Sequence, residues 1–156
     1  MMKRLIFVLV LCAAGMDAAA GERDSLLTVF WNLENFFDYH DGGNGESDQD
    51  FSPEGKRRWT SGRFYSKCNL VAKSIFWMGE RYGHMPDVIG VAEVENRSVL
   101  SRMLASTGLR KFDYAVVHRE SGDRRGIDVA LLYRKDVLEL LDVSYHVPEY
   151  EGRQMN

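Results

Sequence analysis

The order of elements along the chain predicts an α+β fold, a mixed β-sheet with helices covering one of its faces. Segments rich in β-branched and aromatic residues alternate with segments of helical period as β, α, β, α, β, β, β, and such elements must bury their apolar faces against one another. The composition, 45% apolar against 28% charged, is that of a folded globular chain and not of a disordered one. A length of 156 residues fits one domain, and a net charge of -3 argues against a sequence-independent electrostatic grip on nucleic acid.

The first twenty residues stand apart from this pattern. Met1 to Arg4 form a basic start, an apolar run reaches Cys12, and Ala18-Ala19-Ala20 offers a small-residue cleavage site, so residues 1–20 read as a secretory signal. The expected location is secreted or periplasmic. The apolar run falls short of the roughly 20 residues a membrane span needs, so no stable membrane insertion is expected after cleavage. Leu11 is too bulky for the position before a lipid-modified Cys12. Cleavage leaves Cys68 as the only cysteine, which excludes an internal disulfide and a cysteine cluster for zinc.

Residues 25–33 (SLLTVFWNL) have strand composition. Residues 38–55, crowded with Asp, Gly, Asn and Ser, read as a long loop. A helix is expected over 60–82, where Phe64, Leu70, Val71, Ile75 and Met78 recur at helical spacing, and Gly83 and Pro86 stop it. The apolar run 87–93 (DVIGVAE) reads as a strand buried on both faces. Residues 96–106 follow as a helix capped by Asn96. Strands over 114–118 and 127–133 flank a turn at Ser121-Gly122-Asp123, and a last strand is expected near 140–147.

Period-two geometry puts Thr28, Phe30, Asn32 and Glu34 on one side of the first strand, presenting an amide and a carboxylate together at its end. Glu93 ends the second strand after a run so apolar that an isolated charge needs a partner or an ion. Carboxylate and amide oxygens are what a hard cation such as Mg²⁺ takes. The same residues also read as a turn cap at Asn32 and solvated loop charges at Glu34, Glu93 and Glu95, and spacing alone leaves both readings open.

The stretches WNLENFFD (31–38) and PDVIGVAEVEN (86–96) resemble the first two motifs of the deoxyribonuclease I-like endonuclease/exonuclease/phosphatase superfamily. FSPEGKRRWT (51–60) and RRGIDVALLYR (124–134) resemble its secreted bacterial branch. The resemblance runs from about residue 27 to residue 134. It implies a Mg²⁺- or Mn²⁺-dependent phosphodiester hydrolase, nuclease-like, with Glu93 as principal metal ligand. Asn32 would help position the metal and the scissile phosphate, and Glu34 falls near a second metal position. Nucleic acid is the first substrate implied, with a phospholipid or inositol phosphate as the alternative.

The family fold is a four-layer α/β/β/α sandwich, and the resemblance implies that residues 21–156 form its N-terminal half. Family members carry an Asp-x-Asn motif and a Ser-Asp-His motif in their second half. No Asp-x-Asn follows Tyr133 and no Ser-Asp-His occurs in the chain. The expectation is therefore a partial domain, inactive by itself, whose partners include the missing half; a non-catalytic remnant or binding module is the reading from another class.

Arg124 and Arg125, beside Gly126, read first as solvated turn charges and second as a guanidinium fork for a phosphate. Lys56, Arg57, Arg58 and Arg63, interleaved with Trp59, Phe64 and Tyr65, suit either a nucleic-acid backbone or an amphipathic helix start. His40, His84, His118 and His146 share no metal-ligand spacing and are expected in loops or on the surface. Gly42-Gly43-Asn44-Gly45 lacks the residues that complete a phosphate loop.

Overall fold

The computed structural model describes residues 25–40, 42–43, 45–146, 149–150 and 153–154. The signal segment and its cleavage site lie outside them. Among the described residues no helix is long and apolar enough to cross a membrane.

Four strands form one mixed sheet: β1 (Thr28–Phe36), β2 (Val88–Val94), β3 (Tyr114–His118) and β4 (Asp128–Arg134). Their order is β1-β2-β4-β3, with β1 parallel to β2 and the other pairs antiparallel. The parallel pair needs a crossover, which helix α1 (Ser61–Tyr82) supplies. Thr60 caps its N-terminus through a bond from Arg63 N, and Gly83 ends it at φ 82°, a left-handed conformation that glycine adopts without steric cost. Helix α2 (Arg97–Ser106) starts at Asn96, whose side chain accepts from Val99 N.

Both helices bury their apolar stripes on one face of the sheet. Phe64, Cys68, Val71 and Ile75 from α1 and Val99, Leu100 and Met103 from α2 meet Leu33, Ile89, Val91, Val116 and Leu132 from the strands. Leu70, expected in this stripe, points outward and is exposed; the true period runs 64, 68, 71, 75. The opposite face is left open. Among the described residues, Phe30 is 53% exposed and Val129 67%, with Leu131 beside them, an exposed apolar patch of the kind that marks an interaction surface.

Other boundaries shift slightly. The first strand begins and ends three residues later than its composition suggests, because pairing with β2 extends to Phe36. The loop 38–55 holds a 3-10 turn, Gln49–Phe51. No strand forms among the described residues of 140–147; residues 139–146 are irregular and exposed, and a two-residue hairpin follows, β5 (Glu149–Tyr150) with β6 (Arg153–Gln154). The alternation of Leu141, Val143 and Tyr145 favours an extended strand, but no neighbouring strand is hydrogen-bonded to it.

Candidate active site

The parallel pairing of β1 and β2 brings their C-terminal ends together, and with them Asn32 and Glu93. The Asn32 side-chain amide donates to Glu93 Oε1 at 2.9 Å. Asn35 N donates to Glu93 Oε2 at 3.0 Å. Asn32 Oδ1 accepts from Glu34 N at 2.7 Å. Each carboxylate oxygen of Glu93 thus has one fixed donor and keeps lone-pair capacity for another partner.

Backbone geometry explains the convergence. Glu34 (φ 56°), Asn35 (φ 59°) and Glu93 (φ 58°) are three of the four non-glycine residues with positive φ among those described. Register shifts between Asn32 and Phe36, and between Ala92 and Val94, mark bulges at the same level of both strands. Such conformations cost of order 1 kcal/mol or more each and concentrate where a side chain must be re-aimed. The bulge also breaks strict alternation beyond Asn32, so Glu34 reaches the site by a turn of the backbone and not as the next residue on one face.

Lys67 of α1 completes the constellation. Its Nζ donates to Glu34 O at 2.8 Å and Asn35 O at 3.2 Å and lies 5.2 Å from the Phe36 ring centroid and 5.7 Å from that of Trp59. Burial lowers its pKa to about 8, against the opposing pull of the Glu34 and Glu93 carboxylates. Beside it lies a pocket of about 290 Å³ lined by Glu34, Asn35, Phe51, Arg57, Trp59 and Arg63. Three cations therefore border the Glu34 end of the site. Within the basic stretch, Phe64 is fully buried and cannot stack on a base; Trp59 is half-buried at the pocket wall, its indole N–H donating to Phe37 O at 2.9 Å, and Tyr65 is exposed.

Arg124 and Arg125 stand on the neighbouring turn. Arg124 donates to Glu46 Oε1 at 2.6 Å and Arg125 to Asp123 Oδ2 at 2.6 Å. The Asp123 carboxylate chiefly, and Glu93 also, hold the Arg125 guanidinium in its charged form, which places Arg125 within the field of the Glu93 site.

Two side chains differ from their sequence readings. Glu95, read as a surface charge, is 7% exposed, and its Oε2 accepts from Asp38 N at 2.7 Å. Burial foremost raises its pKa to about 7. His118, read as a surface or loop residue, sits on β3 with its side chain 4% exposed. Its Nε2 lies 2.9 Å from Asp128 Oδ2 and its Nδ1 4.0 Å from Glu120 Oε1. His118 faces Ala130 across the antiparallel pair, and Asp128 is the next residue on that face of β4. His118, Glu120 and Asp128 are the one group of three His, Cys, Asp or Glu side chains, among the described residues, whose ligand atoms lie within 4.8 Å of one another. Ser121 N anchors the other Asp128 oxygen at 2.8 Å.

A model described as "Endonuclease/Exonuclease/phosphatase family" matches residues 27–151, and the chain belongs to that family. The match extends past residue 134, where the sequence motifs fade. Membership supports hydrolase chemistry of the nuclease or phosphatase kind, and enzymes of the family are typically divalent-metal dependent. No curated protein and no solved structure matches the chain.

Proposed function

We propose that this chain carries the metal- and phosphate-positioning half of a secreted, Mg²⁺- or Mn²⁺-dependent phosphodiester hydrolase acting on nucleic acid. The observation that carries the reading is the Asn32–Glu93–Asn35 network at the strained ends of β1 and β2. Its donor set fits the metal: Mg²⁺ prefers hard oxygens and commonly uses one or two carboxylates, leaving its other positions to water and phosphate. Glu93 would hold the ion, with Glu34 near a second position. When bound, the ion would neutralise phosphate charge and polarise the ester.

Asn32 fixes the Glu93 carboxylate through its amide, and Lys67 anchors the backbone of Glu34 and Asn35. Lys67, Arg57 and Arg63 make the adjacent pocket attractive to a second phosphate of a polyanion, and this favours nucleic acid over a single head group. Arg125 adds charge from the other side. No residue of the network is a free base that would take a proton from water, and His118 is buried against Asp128. The open apolar face with Phe30 and Val129 supports the partial-domain reading, since a second sheet in a four-layer sandwich covers that face. Residues 21–156 alone are therefore expected to show background turnover.

The test is binding. With Mn²⁺ present, a short oligonucleotide should bind saturably, and Lys67→Met should weaken it about tenfold, roughly the worth of one charge-assisted hydrogen bond. Oligonucleotide binding indifferent to Mn²⁺ and Lys67 would overturn the reading. Mn²⁺-dependent binding of a glycerophosphoinositol alone would overturn the nucleic-acid assignment.

Export is the companion proposal. The mature chain is expected to begin near Gly21, since small residues at Ala18 and Ala20 suit signal peptidase. N-terminal sequencing of exported protein checks it, and a start at Met1 or a lipid on Cys12 contradicts it.

A further inference from the structure

A second group of carboxylates lies apart from the Glu93 network, in a pocket of about 400 Å³ lined in part by Asp38, Gly42, Gly43, Glu95 and Arg102. Asp48 stands behind its glycine wall. Asp48 is 3% exposed, and its Oδ2 accepts from both Gly42 N and Gly43 N at 2.7 Å. Its Oδ1 is buried and accepts from no fixed N–H or O–H donor among the described residues; the group beside it is the Glu95 carboxyl, which can donate only when protonated, and a carboxylate oxygen left so is costly.

That oxygen does not point into apolar packing. A methyl group on Gly43 would meet Glu95 Oε1 at 3.0 Å and Asp48 Oδ1 at 3.1 Å, so the two oxygens flank one point. Each carboxylate is thus anchored by backbone N–H groups through one oxygen and turns the other toward its neighbour. Asp38 adds a third negative charge, with Arg102 Nη1 at 3.8 Å from its Oδ2. Arg102 is the one lysine or arginine that lines the pocket. Two neighbouring carboxylate oxygens, Asp48 Oδ1 sealed from solvent and Glu95 Oε1 on a side chain that lines the pocket, require a cation or a proton between them.

We propose that Asp48 and Glu95 bind a divalent cation of the Ca²⁺ class, distinct from the Glu93 site, which pins the loop following β1 to the end of β2. Ca²⁺ suits the arrangement because it accepts irregular oxygen sets from flexible loops and fills its remaining positions with water. Its two positive charges offset the excess of Asp38, Asp48 and Glu95 over Arg102. The site shares no hydrogen-bond partner with Glu93, so it acts on loop order and leaves the chemistry to the other network.

Thermal unfolding of the whole chain, stripped with a chelator and then titrated with Ca²⁺ alone, tests this. The expected result is a rise in Tm of about 5 °C or more at saturation, retained in Glu93→Gln and lost in both Asp48→Asn and Glu95→Gln. Asp48→Asn is suited to the purpose because its amide can donate to Glu95 Oε1 and satisfy the pair without a metal. Calorimetry with Ca²⁺ on each variant reads the same loss as binding heat, independent of melting behaviour. No Ca²⁺ effect on the unmodified chain would mean that a shared proton joins the pair, and would overturn the proposal. A Ca²⁺ effect lost in Glu93→Gln and kept in Asp48→Asn would overturn it equally, while leaving the reading of the Glu93 site in place.

Discussion

Glu93→Gln is expected to weaken Mn²⁺ binding at the end of β1 and β2 by about 100-fold or more, a larger loss than the 10–100-fold typical of removing a group that only orients a ligand. The substitution keeps the side chain's length and one oxygen, which can still accept from the Asn32 amide. It removes the negative charge and turns one of the two acceptors into a donor. Asn35 N, which reaches Oε2 at 3.0 Å, then loses its acceptor or forces the amide to flip. Glu95→Gln, two residues on, should leave this binding nearly unchanged, since Glu95 bonds Asp38 N and faces Asp48. Paramagnetic broadening of the Asn32 side-chain amide signal by Mn²⁺ reports occupancy at this site in particular. Equal losses in the two variants would show that the ligand has been misplaced.

How much of this was legible beforehand differs by level. Both helices follow from apolar period and caps, because packing on one sheet face demands that period, and strand 114–118 follows from its composition. Residues 87–93 were legible as a strand from their nearly continuous apolar run, but the burial on both faces which that run suggests is not met, since Ile89, Val91 and Val94 are buried while Val88, Gly90 and Ala92 are only partly so. The pairing of Asn32 with Glu93 was legible as a conditional: two strands ending in polar groups converge if they lie parallel and adjacent, and β1 and β2 do. The bulges were not legible. Asn35 is of a residue type that enters the left-handed region readily, but nothing in the sequence marks Glu34 or Glu93 for it, because tertiary pairing and not residue preference imposes that geometry there. Glu95 looked like a surface charge because it alternates with Val94 on a strand end; the loop containing Asp48 folds over it and buries it. His118 was obscured for a similar reason, its partner Asp128 lying ten residues away across a hairpin. Lys67 did carry a signal, a lysine placed between Phe64, Cys68 and Val71 on the buried stripe of α1, where a charge must find partners.

The site rests on one aromatic platform, and Phe64→Ala is expected to destabilise the chain by about 3–5 kcal/mol, the usual cost of emptying a fully buried phenylalanine site. Phe64 is completely buried. Its ring centroid lies 5.7 Å from that of Phe36, 5.6 Å from Tyr39 and 5.1 Å from Tyr65, so the cavity would open beneath the end of β1. Collapse to fill it is obstructed on both sides, by strand pairing that holds Phe36 to Val94 and by the helical backbone one turn from Lys67. A domain of this size commonly has about 5–15 kcal/mol in total, and a sheet with one apolar face open to water belongs at the low end. The variant should therefore be largely unfolded near its working temperature, and what remains folded should hold Lys67 loosely, because the Phe36 ring beneath its Nζ loses its support. Urea unfolding followed by tryptophan fluorescence measures the first effect, with Trp59 beside the site as reporter. A loss below about 1 kcal/mol would mean that the ring cluster does not support the end of β1, and that the geometry around Glu93 is maintained by the backbone bulges alone.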